Sequence, residues 1–306
     1  MKKVYSIILI AAVIFLIILI VFPYQKREAK ILFVGDMFFD RYIRLVEYNK
    51  GEDFTFSCIS NFLGDSDLVV GNLEGPITDN PSTSLGTVPG GDGNYNFTFP
   101  ARIANLLYRN NIKLVNLGNN HIGNLGTSGV ESTKKFLDEA RVRYFGGVSG
   151  DDDVYRTEIG GTKMSFVSFN EFGQENVQQV AQKISAEKKN GQTVIVYAHW
   201  GDEYATVPQR LKDTAKLFAQ SGATFIIGSH PHIILPSEKI STGSTSSLQA
   251  ATVYYSLGNF IFDQYWNKEV STGLVLEFDI KGKLADWKII EHKVSLNRDG
   301  RTCLEN

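Results

Sequence analysis

Two histidines stand one residue apart in "GSHPH", residues 228 to 232, directly behind the apolar run Ala223-Thr224-Phe225-Ile226-Ile227. Side chains of an extended segment alternate with a period of two, so His230 and His232 point to one face. Such a pair can grip one metal ion or two neighbouring ions, and it can equally be a polar turn after a strand. Of the five histidines in the chain, His121, His199, His230 and His232 all fall where an apolar run ends, as do Asp36, Glu74, Asn120 and Asn259. Singly these have plainer readings: Asp36 could cap a helix, Glu74 could pair with Arg41 or Arg44, and Asn120 or Asn259 could accept a left-handed turn. Collected at one sheet edge they offer a mixed oxygen and nitrogen shell, which suits Mn, Fe, Zn or Mg rather than Ca alone. The fifth histidine, His292, lies in an alternating segment and reads as a surface residue.

Other chemistries lack their residues. The chain has no G-x-S-x-G elbow, no G-x-x-x-x-G-K-[ST] loop and no G-x-G-x-x-G after its first apolar run. An acid, Asp36, ends that run, and it would repel a bound phosphate unless a cation stood between them.

The elements that must position these residues repeat one grammar: a short β-rich apolar run, then a loop holding Gly with Asp, Asn, Glu or His. The runs are "KILFVGD" (30–36), "DLVVGNLEG" (67–75), "IKLVNLGNNH" (112–121), "TVIVYAHWG" (193–201), "ATFIIGSHPH" (223–232) and "TVYYSLGNF" (252–260). Apolar runs without alternation predict strands buried on both faces. Helical patterns lie between them at 100–111, 129–142 and 207–222, with Pro100 and Pro208 as starters and Gly222 as a stop. Strands alternating with helices predict an α/β sheet whose site forms at the carboxyl ends of the strands. Residues 78–96, rich in Gly, Ser, Pro and Asn, predict a long loop near the mouth of that site. The alternating pattern from about residue 270, around Lys281-Gly282-Lys283, predicts a two-stranded antiparallel unit. Trp200, Tyr204, Phe260 and Phe262 read as core or rim.

At 306 residues, a net charge of −2 and 43% hydrophobic residues, the chain suits one large or two ordinary globular domains. Its Lys and Arg residues are scattered, so no nucleic-acid footprint is present. Residues 4–24, "VYSIILIAAVIFLIILIVFPY", carry no charge and are long enough to cross a hydrocarbon core of about 30 Å. The stretch exceeds a cleavable signal and no small-residue cut site follows it, so it reads as a single-pass signal anchor. Lysines and arginines flank it on both sides, and charge alone does not orient it. The division is then an anchor over 1–24, a linker over 25–29 and a globular part over 30–306. Cys58 and Cys303 are the only cysteines, and they could be free or paired.

The ordered motifs "GD" (35–36), "GNLEGPIT" (71–78), "NNH" (119–121), "HWGDEY" (199–204), "GSHPH" (228–232) and "SLGNFIFD" (256–263) resemble those of the CapA/PgsA family. These are capsule and poly-γ-glutamate biosynthesis proteins of the calcineurin-like metallophosphoesterase superfamily. The resemblance implies an αββα sandwich of metallophosphoesterase-like sheet layers flanked by helices, on an extracytoplasmic domain at the cell membrane. It implies one or two divalent cations (Mn, Fe, Zn or Mg), with Glu74 bridging, Asn120, His199 and His230 completing one ion and Asp36 and His232 holding the other. His121 would protonate the leaving oxygen, and Asn72, Glu203 and Asn259 would contact substrate. Implied partners are capsule or polyglutamate synthase subunits and an anionic polymer or phosphoester. A non-catalytic subunit that binds polymer or scaffolds a synthase is the alternative. Two departures stand out: Phe38 replaces a histidine ligand that many phosphoesterases of the superfamily have two residues after the first aspartate, and that CapA-like proteins generally lack too, and Asn124 replaces an aspartate that often follows the "NNH" motif of CapA-like proteins by three positions.

Overall fold

The computed structural model describes residues 28–81, 95–148, 152–241, 250–281 and 287–305. The apolar segment 4–24, most of the loop over 78–96 and part of the turn at 281–283 lie outside these residues. Among the described residues, no helix is long and apolar enough to cross a membrane.

The strands in chain order are β1 (Ala29–Met37), β2 (Leu68–Leu73), β3 (Ile77–Thr78), β4 (Phe99–Pro100), β5 (Ile112–Asn116), β6 (Arg143–Phe145), β7 (Val154–Ile159) and β8 (Thr162–Asn170). They continue as β9 (Thr193–His199), β10 (Ala223–Ser229), β11 (Ile234–Ser241), β12 (Ala250–Leu257), β13 (Asn259–Ile261), β14 (Thr272–Ile280), β15 (Lys288–Leu296) and β16 (Thr302–Leu304). The helices are α1 (Arg41–Lys50), α2 (Ser60–Gly64), α3 (Arg102–Arg109), α4 (Gly126–Glu139), α5 (Val177–Lys189) and α6 (Gln209–Ser221).

Two large mixed sheets carry the site. One has the order β16-β15-β14-β1-β2-β5-β6, with β13 beside β1; the other has the order β11-β12-β10-β9-β8-β7. The segments predicted as buried strands are the central ones, and β1, β2, β5 and β6 run parallel, as do β8, β9, β10 and β12. The antiparallel unit expected near the C-terminus is β14 against β15.

Alternation along the strands separates three apolar layers. Ile31 and Phe33 of β1 meet Phe166, Tyr197 and Phe225 of the opposite sheet, forming the core between the sheets. Leu32 and Val34 face the other way, towards Ile43 of α1, Leu106 of α3 and Leu137 of α4. In the second sheet, Val194 and Val196 point outwards to Val180 of α5 and Phe218 of α6. The layers therefore run helix, sheet, sheet, helix. Burying both faces of each sheet is why these strands read as unbroken apolar runs.

Helix α6 has the predicted ends: Pro208 stands at its amino end and Gly222 adopts a left-handed conformation, φ 114°, at its carboxyl end. Helix α5 and strands β7 and β8 were not predicted. α5 has a capping box between Asn176 and Gln179, which fixes its start. At Gly35 the close approach of two chains demands glycine, since a Cβ there would sit 1.8 Å from the Gly258 carbonyl oxygen.

Candidate metal centre

Parallel strands of both sheets end at one edge, and each delivers a polar residue to it. β1 delivers Asp36, the turn after β2 Glu74, the loop after β5 Asn120 and His121, β9 His199, and the turn after β10 His230 and His232. Both histidines of "GSHPH" have left-handed backbones, φ 96° and 57°. Residues other than glycine adopt positive φ in only a few per cent of cases, and strain of this kind concentrates at functional sites.

The tightest grouping is Asp36, Glu74 and His232, whose potential ligand atoms all lie within 4.8 Å of one another. All three are buried. Asp36 is orientated by two donors, the Asn72 amide to Oδ1 at 2.9 Å and the His230 N–H to Oδ2 at 3.0 Å. Glu74 is fully buried and neither of its oxygens has a hydrogen-bond partner. Its Oε1 lies 3.7 Å from His232 Nε2 and 4.0 Å from His121 Nε2. The plainer readings of these acids do not apply: Asp40, not Asp36, caps α1, and the guanidinium of Arg41 pairs with Asp263 and that of Arg44 with Asp40.

The electrostatics of the group suit a cation or a proton shared between the two acids. Burial raises the Asp36 carboxyl to about 6, and burial together with Asp36 raises Glu74 well above the usual carboxylate range. Burial also lowers His232 to about 3, and it lowers His121 and His230 to about 4, so these imidazoles are neutral at pH 7. Two buried acids among neutral rings are costly to ionise without a positive charge between them. A divalent cation fits both the donor chemistry and the unpartnered Glu74 oxygens.

His199 and His230 flank the trio, their rings 4.8 Å apart. His199 Nε2 lies 2.9 Å from Asn120 Oδ1 and its Nδ1 3.0 Å from Ser229 Oγ, so both ring nitrogens are engaged. His230 Nδ1 is buried with no partner. Of the residues expected to contact substrate, Glu203 is exposed, while Asn72 and Asn259 are fully buried supports. Asn72 Oδ1 accepts from the amides of Asn116 and Asn119, both at 3.1 Å, which turns its nitrogen towards Asp36. Asn259 Oδ1 lies 2.9 Å from His232 Nδ1. Asn116 and Ser229 were not singled out from the sequence; Ser229 lies inside "GSHPH", and nothing local marks Asn116.

The two departures have clear structural counterparts. Phe38 stacks on Phe262 at 4.6 Å and meets Phe97 edge-on at 4.7 Å, with the Arg41 guanidinium 4.5 Å above its ring. An aromatic wall thus closes that side of the site, where a further ligand would otherwise enter. Asn124 keeps the contact to His121, its Nδ2 lying 3.2 Å from Nδ1 while also donating to the Tyr95 carbonyl at 3.0 Å. If the Asn124 amide donates to Nδ1, the ring proton sits on Nε2, on the Glu74 side. His121 is also stacked on Phe97 at 3.9 Å. His292 is half-buried, 3.0 Å from Glu277 and remote from this edge. Trp200, Phe260 and Phe262 are core, and Tyr204 is a rim residue.

A layered α/β protein with a buried carboxylate and imidazole group at its strand ends is the class that this fold and site define. The chain belongs to the family described as "Bacterial capsule synthesis protein PGA_cap", which it matches over residues 30–264. That family sits in the metallophosphoesterase-like superfamily. The chain is similar to "Capsule biosynthesis protein CapA" of Bacillus anthracis, 27% identical over 278 residues that cover 83% of this chain and 65% of that protein. It is also similar to "PGA biosynthesis protein CapA" of Bacillus subtilis (strain 168), 28% identical over 263 residues that cover 79% of this chain and 66% of that protein. The matches thus span just under two thirds of the length of these relatives.

Proposed function

We propose that this protein acts in the assembly of a capsule, poly-γ-glutamate or related envelope polymer. In this reading it is an outward-facing domain on a single-pass anchor, with a divalent cation at Asp36, Glu74 and His232 and phosphoester hydrolysis as its reaction. The observation that carries the site reading is Glu74, fully buried with both oxygens unpartnered and 3.7 Å from His232 Nε2. A cation at this position supplies Lewis-acid charge to an anionic ester. His121 holds a proton at Nε2 on the same side, and Asn124 keeps it there. The layered sheets match the αββα arrangement that the superfamily implies. The disulfide between Cys58 and Cys303 supports placement outside the cytoplasm, where such bonds persist.

The test is the metal content of the protein purified without chelators, beside Glu74→Gln and His232→Ala. At least one Mn, Fe, Zn or Mg ion per chain, lost in both variants, is the expected result; no metal after reconstitution would overturn the reading. Protease added to intact cells should cut the globular part, and resistance would contradict the outward placement.

A non-catalytic role, binding polymer or scaffolding a synthase, is favoured by one observation. Phe38 occupies a ligand position and is locked into an aromatic wall. Metal binding without turnover of any phosphoester would select that role.

A further inference from the structure

Among the described residues, two exposed aromatic side chains border the histidines of the site, and a third packs on one of them. Phe172 is 47% exposed, Tyr204 44% and Trp266 53%. Phe172 lies 4.4 Å from the His230 ring, and Tyr204 lies 5.9 Å from the His232 ring, so each histidine of "GSHPH" has one exposed aromatic neighbour. Trp266 meets Tyr204 at 5.6 Å with their planes at 76°.

Tyr204 is fixed more firmly than a surface ring needs to be. Its N–H donates to the Pro231 carbonyl at 2.9 Å, between the two histidines. Its hydroxyl accepts from Gln264 Nε2 at 2.9 Å, and Gln264 Oε1 accepts from the Asn259 amide that supports His232. Its backbone is left-handed, φ 58°. An exposed aromatic group held at such cost marks a binding surface.

The charges next to these rings in the chain disfavour a polyanion: Glu171 adjoins Phe172, Asp202 and Glu203 precede Tyr204, and Lys268 and Glu269 follow Trp266, with Arg210 the other nearby cation. Arg210 is already bonded to both Asp202 and Glu171. The rim is therefore acidic, although the trio beneath it calls for an anion with its cation. Only the reacting group of the ligand can be the anion, and what adjoins it must be neutral.

We infer that the aromatic clamp of Phe172, Tyr204 and Trp266 binds a saturated sugar ring adjoining the phosphoester, so that the substrate class is a glycosyl phosphoester. The C–H faces of a pyranose are apolar and carry slight positive charge, which the negative face of an aromatic ring attracts. Its hydroxyls find acceptors in Glu203 and Asp202. A flat nucleobase prefers a slot between parallel rings, whereas rings at 76° form a corner that suits a thicker ring. The inference rests on the phosphoester reading above for the identity of the reacting group.

The test is calorimetric titration of the Mn-loaded full chain in detergent with N-acetylglucosamine 1-phosphate, AMP, a γ-glutamyl tetramer and inorganic phosphate. The sugar phosphate should bind at least tenfold more tightly than phosphate. Phe172→Ala and Trp266→Ala should each remove most of that advantage and leave phosphate binding unchanged. Tighter binding of the tetramer or of AMP than of the sugar phosphate would overturn the inference, as would variants that leave the advantage intact. If inorganic phosphate itself does not bind, the metal reading fails separately. An uncharged methyl glycoside then decides the clamp: tryptophan quenching that disappears in Trp266→Phe supports it, and no quenching overturns it.

Discussion

His232 Nδ1 lies 2.9 Å from Asn259 Oδ1, and the nitrogen of that amide is committed to Gln264 Oε1 at 3.0 Å and the Val270 carbonyl at 2.9 Å. The amide cannot turn over without losing two bonds, so its oxygen faces the imidazole and Nδ1 must donate. Nε2 is left with its lone pair directed towards Glu74.

Asn259→Ala should therefore weaken divalent-cation affinity by about 10- to 100-fold, the usual cost of removing such a support. Competition with a chromophoric chelator measures it, with circular dichroism to confirm that the variant folds. Unchanged affinity would mean that His232 is not a ligand through Nε2.

His121 stands apart from the trio, 4.0 Å from Glu74 and stacked on Phe97. If it donates a proton to the leaving oxygen, His121→Asn should lower phosphodiester turnover by about 10² to 10⁴. Bound metal should stay the same. Loss of metal in this variant would instead identify His121 as a ligand.

Cation affinity should rise with pH between about 5 and 7. The Asp36 carboxyl, raised to about 6 by burial, and Glu74, raised well above the usual carboxylate range by burial and by Asp36, must release protons when a cation binds. The metal-free protein should show the opposite trend in stability above pH 6.5. Burial raises Glu47 to about 8, so its folded state holds a proton more tightly than its unfolded state. That contribution is complete below about 4.5 and is lost as pH rises through about 8. His121 and His230, lowered to about 4, act in the reverse sense and only below about 6.5. Thermal melts of the metal-free protein between pH 6.5 and 8 should show falling stability, and Glu47→Gln should lessen the slope, with Asp36 and Glu74 accounting for the remainder.

Cys58 and Cys303 form a disulfide across 245 residues, with Cα atoms 4.9 Å apart. It ties the last strand, β16, to the segment just before α2. Its removal in Cys58→Ser should lower stability by about 2–5 kcal/mol. Denaturant unfolding with and without reductant measures this, and the variant should be insensitive to reductant.

The central strands were legible because burial on both faces leaves apolar runs that need no context. α6 was legible from Pro208 and Gly222, whose backbone preferences are local. The gathering of candidate ligands at one edge was legible because each follows its run directly, as Asp36 follows Val34-Gly35. α5 was missed because its sequence, "VQQVAQKISAEKK", has one apolar face and otherwise polar residues, and no proline announces it. The hydrogen bonds that Asn72 and Asn259 make to Asp36 and His232 were not legible for a related reason. Both lie in motifs that face the site, but their bonds to Asp36 and His232 cross 36 and 27 residues, and only the packed sheets bring those partners together. The pairing of the cysteines is non-local in the same way.

The bond between Cys58 and Cys303 also closes the chain into a ring that contains Glu74, His121, His199, His230 and His232 but not Asp36. Asp36 lies on β1, which is inserted between β2 and β14, and both of those strands belong to the ring. A single cut anywhere inside the ring leaves one molecule until a reductant is added. A cut between Asp36 and Cys58 instead severs the first carboxylate from every other candidate ligand, with only sheet pairing and packing to keep it in place.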